Sequence, residues 1–137
     1  MYEALKLAFK SYTNDEVPVG AVVVENGCVI GRGYNRTEKD QNVLRHAEII
    51  AIDEACTRLK SWRLCECELF VTLEPCLMCS GAILHSRIKK VVYGAKNHNF
   101  GSTKYIEDKI EIIGRILEKE CSNLLSSFFQ GKRFSKN

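Results

Sequence analysis

An Asn-Gly pair set between two strand-like runs constrains the fold of this chain more than any other feature. Val19 to Val24 is a β-branched run, Glu25-Asn26-Gly27 reads as a tight turn, and Cys28 to Tyr34 returns as a second strand, so the three segments form a hairpin. Helix and strand patterns then alternate. His46 to Leu59 carries Ile49, Ile50, Ile52 and Ala55 in a helix-rich context, and Leu69 to Leu73 is a third strand bounded by Pro75. That proline suits a first helical turn, so Cys76 to His85 reads as helix. Lys90 to Tyr93 supplies a fourth strand, Ile110 to Ile113 a fifth, and Arg115 to Phe129 a closing amphipathic helix. At the start, Met1 to Ser11 places Leu5, Ala8 and Phe9 at helical spacing. Arg36 to Leu44 and Lys96 to Thr103 read as polar loops, and Gln130 to Asn137 as a basic, frayed tail. A hairpin followed by alternating helix and strand predicts an α/β fold with a mixed sheet covered by helices on both faces.

With 137 residues, 45% of them hydrophobic and 27% charged, the chain is expected to form a single domain, 1–137. No apolar stretch approaches the roughly 20 residues that span a bilayer. Met1 to Lys10 lacks the basic region, long apolar segment and cleavage site of a secretory signal. Seven cysteines cannot all pair within one chain. A reduced, cytoplasmic compartment follows as the expectation, and there clustered cysteines point to a metal or to catalysis. The net charge of +3 permits contact with a polyanion without arguing for one.

The clustered residues are His46-Ala47-Glu48 and Pro75-Cys76-Leu77-Met78-Cys79. Cys76 and Cys79 are three apart, hence on one helix face, and they stand at a helix start where free N–H groups favour thiolate over thiol. Thiolate is the form that binds zinc. A C-x-x-C alone leaves a structural zinc, a redox dithiol and accident open. His46 can add a neutral imidazole, and three protein ligands leave a fourth tetrahedral position for water, as in catalytic sites. Cys65 or Cys67 would be needed to close a structural site; both are expected as strand-edge thiols. Cys28, Cys56 and Cys121 read as small core residues. Glu48 is two residues from His46, so on a regular helix the two side chains point apart. It is a poor co-ligand that can still take a proton from a metal-activated water and hand it to a substrate nitrogen. That is machinery for removing an amine from an aromatic ring. Zinc over iron is inferred, since thiolate and imidazole suit both.

His46-x-Glu48 with Pro75-Cys76-x-x-Cys79 resembles the H-x-E…P-C-x-x-C signature of the zinc nucleobase deaminases, the cytidine/deoxycytidylate deaminase superfamily. Across nearly the whole chain the resemblance is closest to the bacterial tRNA-specific adenosine deaminases. It rests on Glu16 to Val22, Gly33-Tyr34-Asn35-Arg36, His46 to Ile49, Thr72 to Ile83, Ser86-Arg87-Ile88 and Val91 to Ala95. The resemblance implies a three-layer α/β/α, cytidine-deaminase-like sandwich on a mixed five-stranded sheet. It also implies hydrolysis of the wobble adenosine of a tRNA anticodon loop to inosine and ammonia, with zinc-bound hydroxide as nucleophile. Carried over by position, His46, Cys76 and Cys79 hold zinc and Glu48 is the proton shuttle. Ala47 contacts the base through its N–H, Asn35 bonds the purine edge, and Val17 walls the pocket. Phe129 and Arg133 on the closing helix are substrate contacts, an aromatic for a splayed base and a cation for phosphate. The family works as a homodimer on a tRNA anticodon stem-loop.

One segment departs from the family. After Gly94-Ala95 relatives usually show an acidic residue followed closely by a lysine and then a glycine-rich stretch, whereas this chain has Lys96-Asn97-His98-Asn99-Phe100-Gly101-Ser102. Two other readings stay open at this point: a zinc-dependent deaminase of a free base or nucleotide (guanine, cytosine or deoxycytidylate), which shares every zinc residue, and a zinc-stabilised RNA-binding module without catalysis.

Overall fold

The computed structural model describes residues 1–135, with side chains through Arg133. In chain order the elements are α1 (Tyr2–Thr13), β1 (Gly20–Glu25), β2 (Cys28–Tyr34), α2 (Thr37–Asp40), α3 (Ala47–Leu59), β3 (Cys67–Leu73), α4 (Leu77–His85), β4 (Lys90–Ala95), a 3₁₀ turn (Thr103–Tyr105), β5 (Glu111–Ile113) and α5 (Glu118–Ser135). The strands form one sheet in the order β2-β1-β3-β4-β5. β1 runs antiparallel to β2 and β3, while β3, β4 and β5 are parallel. The sheet is therefore mixed, as expected. The hairpin turns on Asn26 and Gly27, whose φ angles of 50° and 78° both lie in the left-handed region. Two successive residues there make the tight turn whose twist matches that of the flanking strands.

Side chains alternate across each strand, so the two faces have separate cores. On one face Ala21, Val23, Leu69, Val71 and Val91 pack with Ala47, Ala51 and Ala55 of α3 and Ile83 of α4. On the other, Ala4 and Ala8 of α1 close on Gly20, and Cys121 of α5 closes on Gly94. This is a three-layer α/β/α sandwich, as expected. The contact that positions the site is between β2 and α3. Gly31 and Gly33 face the alanines of α3, and a Cβ at Gly33 would overlap the Ala47 carbonyl oxygen. The helix thus lies directly on the strand backbone, with its first turn level with the end of β2.

Several expectations need correction. The loop from 36 to 44 contains the short helix α2. β3 starts at Cys67, which is fully buried rather than at the strand's edge, and Cys28 at the hairpin turn is exposed rather than in the core. Cys56 is half-buried, and only Cys121 of the three expected core thiols is enclosed. α5 begins three residues later than expected and stays helical through Gln130 to Ser135, where a frayed tail was anticipated; 136–137 lie outside the described residues. Within this extension the Lys132 Nζ reaches Asp15, just past the end of α1, at 2.7 Å and lies over the Phe128 ring. All seven cysteines are free thiols, and no helix among the described residues is long and apolar enough to cross a membrane.

Gly33→Ala tests the strand–helix contact. Its methyl group must displace the first turn of α3, and overpacking of that kind costs about 1–3 kcal/mol. Chemical denaturation is expected to show a lower midpoint at unchanged slope. An unaffected midpoint would mean that α3 is free to lift away from the sheet.

Candidate active site

The carboxyl ends of β3 and β4 open onto a crevice where two helices begin. His46 is the N-cap of α3, in extended conformation at φ −76° and ψ 151°. Cys76, directly after Pro75, is the N-cap of α4 at φ −75° and ψ 179°. Each already accepts the first helical bond through its carbonyl, from Ile50 N–H at 3.1 Å and Ser80 N–H at 2.8 Å respectively. Cys79 follows one turn into α4 and is buried. The open N–H groups of both helices face the crevice, so negative charge is favoured there.

His46 Nδ1 stands 3.6 Å from Cys76 Sγ and 3.5 Å from Cys79 Sγ. The three donor atoms all lie within 4.8 Å of one another. A tetrahedral zinc with ordinary Zn–S and Zn–N lengths would hold sulfur and nitrogen about 3.6 Å apart. The donors are therefore spaced as that ion would space them, and their chemistry, two thiols and an imidazole, suits it. The Cys76 thiol is held down at about 4, chiefly by a hydrogen bond from the Cys79 thiol and further by His46, against the cost of burial. Cys79 is raised by the same bond, and His46 is raised by its bond to Cys76.

Glu48 is buried in the first turn of α3, and burial pushes its carboxyl up to about 7 against bonds from its own N–H and the Cys79 thiol. The sequence reading had His46 and Glu48 pointing apart on a regular helix. The structure changes the premise: His46 precedes the helix in extended backbone, and both side chains line the same cavity. That cavity measures about 170 Å³. Val17, Val19 and Leu73 form its apolar walls, while Asn35, Glu74 and Asn97 are its further polar members. Ala47 also lines it, and as the first residue of α3 it has no intrahelical acceptor for its N–H. Asn35 is locked in place. Its Oδ1 accepts the Thr37 hydroxyl at 2.8 Å and N–H at 3.3 Å, and its Nδ2 donates to the Val17 carbonyl at 3.3 Å. The amide's second N–H is then the group left to meet a ligand.

The two expected contacts on α5 stand differently. Phe129 is 46% exposed and packs edge-on against Phe128, with ring centroids 5.4 Å apart, and Arg133 is exposed. The groove that continues from Val17, Asn35 and His46 towards α5 is lined there by Phe128 and Lys132. Sequence reasoning gave no role to Glu16, Glu74 and Asn97. Glu16 is 2% exposed and accepts the N–H groups of Glu38 and Lys39 at 3.1 and 2.7 Å, which ties α2 to the segment before β1. Glu74 ties the loop after β4 in a similar way. For Glu74 the available signal was a carboxylate set between the end of an apolar strand and Pro75; Glu16, at the end of a polar run, and Asn97 carried no such mark.

Known proteins have related chains and folds. Residues 1–95 match the family model of the cytidine and deoxycytidylate deaminase zinc-binding region. The tRNA-specific adenosine deaminase of Bacillus subtilis (strain 168) is 43% identical over 145 residues, covering 99% of this chain and 90% of the relative. A solved structure from work on A-to-I editing by tRNA:A34 deaminases at the wobble position superposes with a TM-score of 0.85 at 37% identity, over 89% of this chain and 95% of the other. A guanine deaminase from Nitrosomonas europaea superposes with a TM-score of 0.86 at 26% identity, over 93% of this chain and 81% of the other.

Asn35→Ala would leave the Thr37 N–H and hydroxyl without their acceptor, and the Val17 carbonyl with the Val19 N–H as its remaining donor. Unsatisfied groups in such a setting cost about 1–3 kcal/mol. Equilibrium unfolding in urea is expected to show a loss of that size, and a loss below about 0.5 kcal/mol would mean that water replaces the amide without penalty.

Proposed function

The chain belongs to the cytidine and deoxycytidylate deaminase zinc-binding family, and from that premise we propose that it converts the wobble adenosine of a tRNA anticodon loop to inosine, releasing ammonia. The observation that carries this substrate is the end-to-end similarity to tRNA-specific adenosine deaminases at 43% identity. The guanine deaminase has an equally close backbone but only 26% identity, so the shared fold alone does not choose the substrate.

His46 Nδ1, Cys76 Sγ and Cys79 Sγ are the donors that would hold zinc, leaving the cavity side of the triangle for substrate and water. When bound, zinc lowers the pKa of water from about 16 towards about 7 and so supplies a nucleophile at neutral pH. The chain's own residues do the rest. Water adds to the ring carbon bearing the amine, and the carbon–nitrogen bond then breaks. Glu48, on the cavity wall beside the donors, takes a proton from water as it adds and delivers it to the ring nitrogen, then carries the new hydroxyl's proton to the departing amine, so that the carbonyl forms, ammonia leaves and the carboxylate is restored. The Ala47 N–H and the remaining Asn35 N–H offer donors to the acceptor edge of a purine, and Val17, Val19 and Leu73 enclose its faces.

The cavity of about 170 Å³ is well below the roughly 300 Å³ at which pockets for drug-sized ligands begin, so it suits a single base with its sugar left outside. Such a base must leave its stack, which is inexpensive in an anticodon loop. Phe129 and Arg133, beside the groove-lining Phe128 and Lys132, are placed in this reading as contacts for a flanking base and phosphate. A homodimer is part of it too, supported by the exposed Leu77, Phe100 and Tyr105 around the site's rim. Cytoplasmic location is supported by the free thiols.

The purified chain is expected to make inosine from an anticodon stem-loop bearing a wobble adenosine, and not to turn over free adenosine, guanine or cytidine. Turnover of guanine alone would replace the substrate and keep the chemistry. Glu48→Ala is expected to retain stem-loop affinity and metal content while kcat falls by about 10²–10⁴. Equal rates for variant and parent would remove Glu48 from the proton transfer. Elemental analysis should find about one zinc per chain, and Cys79→Ser should weaken zinc affinity by at least about tenfold. Full zinc retention in that variant would exclude the proposed donor set.

A further inference from the structure

The loop that follows β4 forms one side of the crevice, yet packing does not hold it. No side chain from Lys96 to Gly101 is buried, and Phe100 at its crown is 72% exposed. What holds it is Glu74, the residue after β3, itself only 5% exposed. Glu74 Oε1 accepts the Asn97 N–H at 3.3 Å. Glu74 Oε2 accepts the Thr103 hydroxyl at 2.6 Å and the Thr103 N–H at 3.4 Å. One carboxylate therefore grips both ends of the 97–103 loop. Between these ends the chain folds back, with the Gly101 N–H donating to the Asn97 carbonyl at 2.9 Å. Gly101 lies so close beneath that any Cβ there would strike the Glu74 carboxylate. The same stretch of backbone adds two ties, Asn97 Nδ2 to the Glu74 carbonyl at 3.5 Å and Ser102 N–H to the Pro75 carbonyl at 3.0 Å.

A carboxylate suits this position because it only accepts, through two oxygens, and all three groups that face it can donate. A glutamine would turn an N–H₂ towards donors on one side. The loop it holds carries Asn97, which lines the base cavity, and Phe100, which lines the adjoining rim beside His46 and Cys76. Thr103, by contrast, lines a separate cavity behind the loop. Glu74 is also next to Pro75, so the clasp and the start of α4 share one stretch of chain.

We propose that Glu74 is a positioning residue whose carboxylate clasps Asn97 and Thr103 and thereby fixes the 97–103 loop as the wall of the base pocket. The proposal rests on the reading of that cavity as the base site. The clasp acts on substrate binding through the loop and does not touch the atoms that react.

The test uses the full, zinc-loaded chain, with Glu74→Gln, Thr103→Val and Thr103→Ser compared with the parent. Thr103→Val keeps the side chain's shape and removes the hydroxyl donor, whereas Thr103→Ser keeps the donor. Glu74→Gln and Thr103→Val are each expected to raise KM for the anticodon stem-loop about tenfold while kcat stays within about twofold, the pattern of lost uniform binding. Thr103→Ser is expected to stay close to the parent. The double variant Glu74→Gln/Thr103→Val should be no worse than the poorer single one, since both break one clasp. Hydrogen exchange, read by mass spectrometry over peptides spanning 96–104, should be slow in the parent and in Thr103→Ser and fast in Thr103→Val, at equal zinc content. An unchanged KM and unchanged exchange in Thr103→Val would overturn the proposal, as would equal impairment of the serine and valine variants. Parental turnover of the stem-loop is a separate control. A zinc-loaded but inactive parent would remove the functional reading, while the exchange contrast between valine and serine would still establish the clasp.

Discussion

Helix α3 can lie directly on strand β2 only because both partners lack bulk along one line. The strand presents Gly31 and Gly33, and the helix presents Ala47, Ala51 and Ala55 at steps of four. Side chains four apart share a helix face, so the three alanines form a continuous shallow surface. With no side chain between the backbones, the axial position of α3 is set to within a fraction of a turn. That position brings His46 to the open end of the sheet. The other half of the site is placed by Pro75, which follows the third strand at once and makes Cys76 an N-cap. Two helix starts, fixed by unrelated local features, then point at one volume. The donor triangle is a product of backbone placement, and short side chains suffice to complete it.

This arrangement concentrates groups that repel one another if all are charged. Two cysteine sulfurs, an imidazole and a buried carboxylate share a crevice, and the perturbations follow from that crowding. Cys76 gains from the hydrogen bond from Cys79 and from the imidazole, while Glu48 is raised by burial. The first turns of α3 and α4 offset part of the cost, since open N–H groups favour negative charge. A dication at the donor triangle would complete the compensation, which is the physical reason that a carboxylate so deeply enclosed can persist beside two sulfurs.

Much of this was legible in the residues. The hairpin was visible because Asn26-Gly27 demands left-handed backbone, and α4 because a proline punctuates the end of a strand. The donor set was visible because its spacing has few other uses. What escaped was tertiary in origin. The opposed directions assigned to His46 and Glu48 assumed that His46 lay inside the helix, and one residue of boundary reverses that inference. Cys28 and Cys67 exchange places because a thiol's burial depends on the strand's neighbours, which the local pattern does not encode. In the last turns of α5 Lys132 pairs with Asp15, a contact across 117 positions of sequence that no local pattern encodes. Phe129 and Arg133 are each one position from the groove-lining Phe128 and Lys132, a turn of about 100° on a helix that the local pattern does not encode.

Three buried glutamates show how the structure separates chemistry from architecture. Glu16 and Glu74 each meet backbone N–H groups from distant segments, and both oxygens of each are engaged. Their charge is used up in holding chain, one for the α2 side of the crevice and the other for the 97–103 side. Glu48 is as deeply enclosed and, like Glu74, lines the cavity, but it is bonded only locally, to its own amide and to the Cys79 thiol beside it. Residue type and burial are alike in the three, and the partners alone distinguish them. A carboxylate saturated by immobile donors is committed to holding chain, whereas one bonded only locally beside a metal-shaped set of donors is left to act on what the cavity holds. The same logic explains why the crevice can be rigid at its edges and reactive at its floor: the two tethering carboxylates remove freedom from the loops, so that the third can act on whatever the loops enclose.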